Sequence, residues 1–384
     1  MVVTGLGVVS PAGTGLTDFW TGLRTPPADR RERRVEGFDP LGWLAPREAR
    51  HHDRFSQFAI AAADMAIEHA GGLPTVEPLR AGVSIGTGLG GLGSLEQQVG
   101  VLAARGPGRV SPYTIPMLMP NAAAAAVALR HGLQGPCEAL ATACAAGTHS
   151  VASGYRLVAD GRCDVVLAGG AEASMTPTTV AAFTTMTALS PSGCSRPFDL
   201  DRDGFCISEG AGVLVLEERS AALARGAVIL AEIVGAAATC DAHHLTAPSP
   251  GGAGAAACMR LALEDARLAA GDVRHVNAHG TSTPMNDEAE AAAVRTVFGP
   301  AAVSVTSIKG VTGHGFGAAG ALEAAAVILS FGHCELPPTM GTRDVDPAFE
   351  LDLVLTPRPW EPGPTVSNSF GFGGHNGSLV LAPG

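Results

Sequence analysis

Lysine is almost absent. Lys309 is the only one in 384 residues, and arginine supplies the rest of the basic charge. Charge of any kind is scarce: 16% of the chain is charged and the formal net charge is −11, which excludes a general nucleic-acid-binding surface. The eight cysteines include no C-x-x-C pair. That argues against a zinc ribbon and a disulfide framework, and fits a reducing cytoplasm. No apolar run approaches the roughly 20 residues of a membrane helix. The opening Met1–Gly5 lacks a basic segment and reads as a first strand, not a signal peptide. No Pro- or Ser-rich linker divides the chain. The glycine-rich turn Gly86–Gly93 lacks the Gly-Lys-Ser/Thr ending of a phosphate-binding loop, so it reads as close backbone packing.

What is present describes a well-buried globular protein: 46% of residues are hydrophobic, and the length suffices for two core-bearing units. Heavy Ala, Gly, Pro and Arg use points to a GC-rich coding sequence, under which a lone lysine can arise by chance. Strand-like apolar runs, among them Val2–Val9, Gly82–Gly86, Val165–Ala168, Gly212–Glu217, Ile229–Val234, His275–Ala278 and Val354–Thr356, alternate with helix-like stretches. The helical stretches include Phe55–Ala70, Ala145–Ala159, Gly254–Ala269 and Ala318–Ser330. Buried strands flanked by helices predict an α/β architecture with sheets covered on both faces. After a charged stretch the chain restarts with a strand near residue 228, so residues 1–227 and 228–384 are read as two similar halves with the active site at their junction.

Four segments carry chemistry. In Ala141–His149, Cys144 stands where a strand or turn meets a helix start, near unpaired N–H groups and the positive end of a helix dipole. Both favour thiolate, the form that attacks carbonyl carbon. A buried cysteine alone reads equally as an inert core thiol. In Val276–Pro284, His279 ends an apolar strand and opens a polar loop with Thr281 and Thr283; in isolation it reads as a structural hydrogen-bonding residue. In Ser307–Gly315, glycines around His314 allow the backbone to approach a ligand, Lys309 lies five residues upstream, and Glu323 on the following helix could pair with either or be a surface carboxylate. In Asn368–Gly377, Phe372 between glycines could act as a gate, or be core beside a turn that joins two terminal strands.

Together, and in this order, these segments resemble the elongating β-ketoacyl-acyl carrier protein synthases of the thiolase superfamily. The likeness runs from Val3–Pro11 through Arg196–Asp199, Arg202–Phe205 and Glu209–Ala211 to Asn368–Gly377. It implies a thiolase-like fold, two α/β halves forming five α-β-α-β-α layers. It implies that Cys144 accepts an acyl group from a carrier-protein thioester and that His279 and His314 stabilise the enolate of a malonyl-type extender. The N–H groups of Cys144 and Phe372 would form the oxyanion hole, and Lys309 and Glu323 an ion-pair network near His314. By the same resemblance Thr281 and Thr283 contact the phosphopantetheine arm, and Asp241 belongs to a loop working with the Phe372 gate. Leu89, Thr114, Thr179, Phe183 and Phe370 fall in substrate-pocket segments. Arg47, Arg50, Arg54, Arg105 and Arg109 are candidates for docking an acidic acyl carrier protein. No redox cofactor or catalytic metal is implied. Partners would be the carrier protein and a second subunit, either an identical copy or a chain-length-factor-like chain. The loop Ser190–Ser195 is shorter than in many fatty-acid relatives, and His375 stands where some have threonine. Two rival readings stay open: a noncatalytic subunit that only binds acyl chains, and, from Gly86–Gly93 alone, a nucleotide-binding dehydrogenase.

Overall fold

Nine consecutive buried residues make the first strand, β1 (Val2–Ser10), in a computed structural model that describes all 384 residues, Met1–Gly384. The other strands that position the site are β2 (Ala81–Gly86), β3 (Cys137–Glu138), β4 (Val165–Glu172), β5 (Gly210–Glu217), β6 (Ala231–Cys240), β7 (His275–Asn277), β8 (Ser304–Thr306), β9 (Asp352–Leu353), β10 (Thr365–Gly371) and β11 (His375–Pro383). In the first half the order is β3-β2-β4-β5-β1, with β3, β2 and β4 parallel and the last two pairings antiparallel. In the second half β8-β7-β10-β11-β6 repeats that order and those directions, with β9 added parallel at its edge. The half-sheets join where Val2 and Val3 of β1 pair with Glu232 and Ala231 of β6.

The main helices are α1 (Arg54–His69), α2 (Leu92–Arg105), α3 (Ala122–His131), α4 (Ala146–Ala159), α5 (Pro177–Thr185), α6 (Ala253–Ala266), α7 (Pro284–Phe298) and α8 (Ala319–His333). Strand side chains alternate between faces with period two. Leu214 and Leu216 of β5, and Leu379 and Leu381 of β11, therefore point into a central core shared with α4 and α8. Val213 and Val215 face an outer core with α1 and α3, and Val380 faces the opposite outer core with α6 and α7. The result is five layers: helices, sheet, paired central helices, sheet, helices. α1 starts at Asp53, whose carboxylate caps the Phe55 N–H and also accepts from Ser94.

Glycine sets the central geometry at one crossing. A Cβ on Gly147 would lie 2.7 Å from the Gly317 carbonyl oxygen, and one on Gly170 would lie 2.9 Å from Gly147 Cα. Only bare backbone lets the start of α4 approach the start of α8, and this contact brings the Cys144 and His314 segments together.

Two sequence expectations are corrected. The strand expected at Val354–Thr356 is instead the short β9, because the chain bends at Thr356 ahead of Pro357; Val354 still donates to Val305 at 2.9 Å. One stretch, Phe316–His333, is long and apolar enough to cross a membrane, but 83% of it is buried inside the fold, since α8 is packed on every side.

Candidate active site

Cys144 occupies a single 3-10 turn, Ala143–Ala145, that runs directly into α4. Ala143 is held at φ 50°, a left-handed conformation that costs an alanine about 1–3 kcal/mol and needs support from its surroundings. The support is visible. Thr142 Oγ1 meets His149 Nδ1 at 2.8 Å, and His149 Nε2 meets the Asn376 carbonyl at 3.0 Å, tying the turn to β11. Gly371 presses on the same turn, its missing Cβ only 3.1 Å from the Cys144 nitrogen.

Burial disfavours the Cys144 thiolate, and the nearby Glu172 acts with burial; the Lys309 charge and the N–H groups of Phe372 and of Cys144 itself favour thiolate but are outweighed. The thiol pKa is pushed up to about 12. The N–H groups thus favour thiolate, as the sequence indicates, but desolvation of a single sulfur exceeds what they return.

His279 follows β7, and its position is fixed through its backbone. The N–H groups of His279 and Gly280 both donate to Glu290 of α7, each at 2.7 Å. Lys309 Nζ donates to the His279 carbonyl at 2.5 Å, lies 3.2 Å from His279 Nδ1, and pairs with Glu323. An ammonium has no acceptor, so Nδ1 must accept and the ring proton resides on Nε2. Lys309 and Glu323 are each 1% exposed. The ion pair lies near His314, as the resemblance implies, and its hydrogen bonds go to His279, because Lys309 starts a helical turn whose first residue faces the β7 loop.

His314 is anchored by its own backbone, donating to the Cys206 carbonyl at 2.7 Å and accepting from Ser208 at 3.0 Å. Its ring packs edge-on to His279, with centroids 5.2 Å apart, and against Phe205 and Phe316. His314 Nδ1 is buried without a protein partner. Burial holds both imidazoles well below their ordinary pKa, and the Lys309 charge adds to it. The Cys144 sulfur and one nitrogen from each ring lie within 4.8 Å of one another. These donor types also suit a metal ion, but the Lys309 ammonium beside His279 opposes a second cation there.

The triad lines a cavity of about 430 Å³. Leu89, Phe183, Phe370, Phe372, Thr281, Thr283 and Asp241 also line it. Thr114 and Thr179 do not reach it: Thr114 donates to the Ser111 carbonyl, and Thr179 is turned to Thr176 at the start of α5. Lys309 and Glu323 stand behind His279 rather than on the wall. Asp241 ties two loops together, accepting from Ser249 N and Asn376 Nδ2 at 2.8 Å each while its own N–H reaches the Gly374 carbonyl. Among the arginines, Arg47, Arg50, Arg105 and Arg109 are exposed and make no ion pair. Arg54 is committed elsewhere, with a two-pronged pair to the buried Glu209 and a stack on Phe58. Two further residues brace the site from behind the cavity wall, Glu172 and the His149 already described. Glu172, fully buried at the end of β4, accepts from Gly88 N at 2.6 Å and Gly317 N at 3.3 Å, and burial lifts its pKa to about 7. A carboxylate closing an apolar Gly-Gly-Ala run was its only signal. His149 had none.

The β-ketoacyl synthase N-terminal domain matches residues 31–222, and the C-terminal domain of the same family matches residues 230–343. The 3-oxoacyl-(acyl-carrier-protein) synthase 2 of Synechocystis sp. is 43% identical over 99% of this chain and 97% of its own. Among solved structures, the ishigamide ketosynthase/chain length factor superimposes with TM-score 0.92 at 35% identity, covering 100% of this chain and 98% of that one. A type II polyketide-synthase ketosynthase in complex with its acyl-carrier protein gives TM-score 0.91 at 30% identity, with coverage of 100% and 98%. With the cysteine, both histidines and the repeated half-sheets in place, this chain belongs to the β-ketoacyl synthase family.

Proposed function

We propose that the chain extends acyl groups by decarboxylative Claisen condensation on carrier-bound substrates. The Cys144 thiol attacks an acyl-carrier thioester; the carbon–sulfur bond to the carrier breaks, and the carrier leaves as a thiol carrying the proton that Cys144 gives up. The N–H groups of Cys144 and Phe372 stabilise the tetrahedral oxyanion. A malonyl-type thioester then binds with its carbonyl oxygen at His279 and His314. Carbon dioxide departs, and the C–C electron pair becomes an enolate that the Nε2–H of His279 stabilises. The enolate carbon attacks the acyl-cysteine, the carbon–sulfur bond breaks, the sulfur leaves as a thiolate that takes a proton from solvent, and a β-ketoacyl thioester two backbone carbons longer is released. The sequence is redox-neutral, so it requires no redox cofactor.

The observation that carries this reading is the meeting of one sulfur and two neutral imidazoles within 4.8 Å at the wall of an apolar cavity. Neutral rings can donate to a developing oxyanion without competing for the substrate carboxylate as cations would. Thr281 and Thr283 at the cavity wall suit the amides of a phosphopantetheine arm. Arg47, Arg50, Arg105 and Arg109 suit an acidic carrier. Exposed apolar residues Leu102, Ile115, Met119, Leu129 and Met186, with a free edge on β3, suit a subunit partner. That partner is a second copy, or a chain-length-factor subunit as in the ishigamide pair. We place the protein in the cytoplasm and divide it at residues 227/228, between the two family domains. The test is a condensation assay with acyl- and malonyl-carrier substrates. His279→Ala and His314→Ala should each lower carbon dioxide release by about 100-fold or more while the cysteine still acylates; normal release in either variant removes that ring from the mechanism.

A further inference from the structure

A second cleft, of about 220 Å³, lies apart from the acyl cavity between Pro26–Asp29, Cys194–Arg196 and Met340–Arg343. Arg33 forms its floor. This side chain belongs to a residue only 7% exposed, yet it forms no ion pair with any carboxylate. Its Nη1 donates to the carbonyls of Gly310 and Val311 at 2.5 and 2.7 Å, while its Nε is buried with no acceptor. A guanidinium cannot escape its charge by deprotonating. Burying it beside neutral carbonyls alone leaves most of the desolvation cost uncompensated. Ser195 Oγ, also buried in the cleft wall, lacks a partner as well. Arg196 and Arg343 line the same cleft and make no ion pair; Arg196 reaches the Asp201 carbonyl and Ser192 Oγ and lies beside the Cys194 thiol. The one carboxylate lining the cleft is Asp29, exposed at the rim, which accepts from the Cys194 thiol at 2.9 Å; behind the wall, Asp199 accepts from the Arg343 backbone N–H at 2.7 Å, and Asp199 and Asp203 lie near Arg196. Three arginines and one carboxylate line the cleft, in a chain of net charge −11, and the buried Arg33 makes no ion pair.

We propose that this cleft binds a phosphate-type oxyanion, with Arg33 at its floor, Ser195 donating from the wall, and Arg343 and Arg196 closing over it. The chemistry fits a free phosphate or the phosphate monoester at the end of a pantetheine-type molecule. The Arg33 guanidinium also holds two carbonyls of the turn Lys309–Thr312, so a bound anion steadies the turn between Lys309 and His314. The site stands independently of the condensation reading, since its residues are not those of the triad.

The test is calorimetric titration of the full-length protein with inorganic phosphate at constant ionic strength set by chloride, with phosphopantetheine and pantetheine in parallel. Saturable phosphate binding that weakens about tenfold or more in Arg343→Gln and in Ser195→Ala supports the site with free phosphate as ligand. If instead phosphopantetheine outbinds pantetheine, and Arg343→Gln removes the difference, the monoester is the ligand. Arg33→Gln should abolish binding in either case. Should that variant fail to fold, the Arg343 and Ser195 variants decide the matter alone. No saturable binding of either phosphate probe, or binding that neither of these two variants alters, overturns the proposal.

Discussion

At the residue scale the site depends on charges that desolvation controls. Lys309 and Glu323 sit buried together behind His279, and a buried pair broken from one side leaves an uncompensated charge. Lys309→Ala should therefore cost about 3–5 kcal/mol of stability, read as a drop in melting temperature, and Glu323→Gln in the same chain should recover part of it. The ring contact makes a finer prediction. With Lys309 donating to Nδ1, nitrogen NMR of His279 should show the proton on Nε2; a proton on Nδ1 in the intact protein contradicts the geometry. Cys144 makes a third. Burial raises its pKa from 9.0 to about 12, so thiolate accumulates only as pH climbs past the ordinary thiol range. Alkylation of Cys144 should keep accelerating beyond pH 9; a plateau below pH 8 would show a resting thiolate. Here the sequence shows only one side of a balance. The helix start was legible at Cys144, but the desolvation that overrides it depends on walls from distant segments.

At the element scale, function resides in the ends of strands and the turns beyond them. Cys144, His279, His314 and Phe372 all lie just outside the main helices and strands; the His279 backbone is fixed by the Glu290 carboxylate and the His314 backbone by Cys206 and Ser208. Leu89 follows the end of β2, and its turn is fastened to the Phe316–Gly317 turn by the single carboxylate of Glu172. Leu89→Phe should shorten the longest acyl group accepted, measured across carrier-linked acyl chains; an unchanged profile would mean the side chain stands outside the acyl path. The strands of the core were legible because apolar runs bounded by glycine have few other uses. The same patterning showed α1, α4 and α8. It did not show α2, α3 or α5, whose alanine-, glycine- and threonine-rich turns carry little periodic signal, nor the full extent of β6. The pairing of Lys309 with His279 instead of His314 was also illegible, since spacing along the chain does not tell which way a buried ammonium turns.

At the scale of the whole molecule, buried titrating groups set where the fold is most stable. Burial raises Asp287 to about 6, Glu172 to about 7 and Glu290 to about 8. A raised carboxyl contributes stability that is full below its unfolded pKa and is lost as pH rises through the folded value, here between about 4.5 and 8. His279, His314, His275, His149, His69 and His52 are all depressed, so their contribution is present above about 6.5 and lost as pH falls below it. The two trends predict a melting-temperature maximum near pH 6.5, with Glu290→Gln flattening the alkaline side; a steady rise to pH 9 would contradict it. Charge matters at the surface too. Reversing Arg47 and Arg50 together should weaken carrier binding roughly tenfold at low salt, with the difference fading as salt rises. The family and the triad were visible from ordered motifs alone, whereas the cleft above Arg33 emerged only when Arg33, Ser195 and Arg343 met in space. The account turns on covalent capture by one sulfur. Intact-mass analysis after incubation with an acyl-carrier thioester should show one added acyl group on the native chain and none on Cys144→Ala; an acyl group on that variant, or none on the native chain with any acyl length, would contradict it.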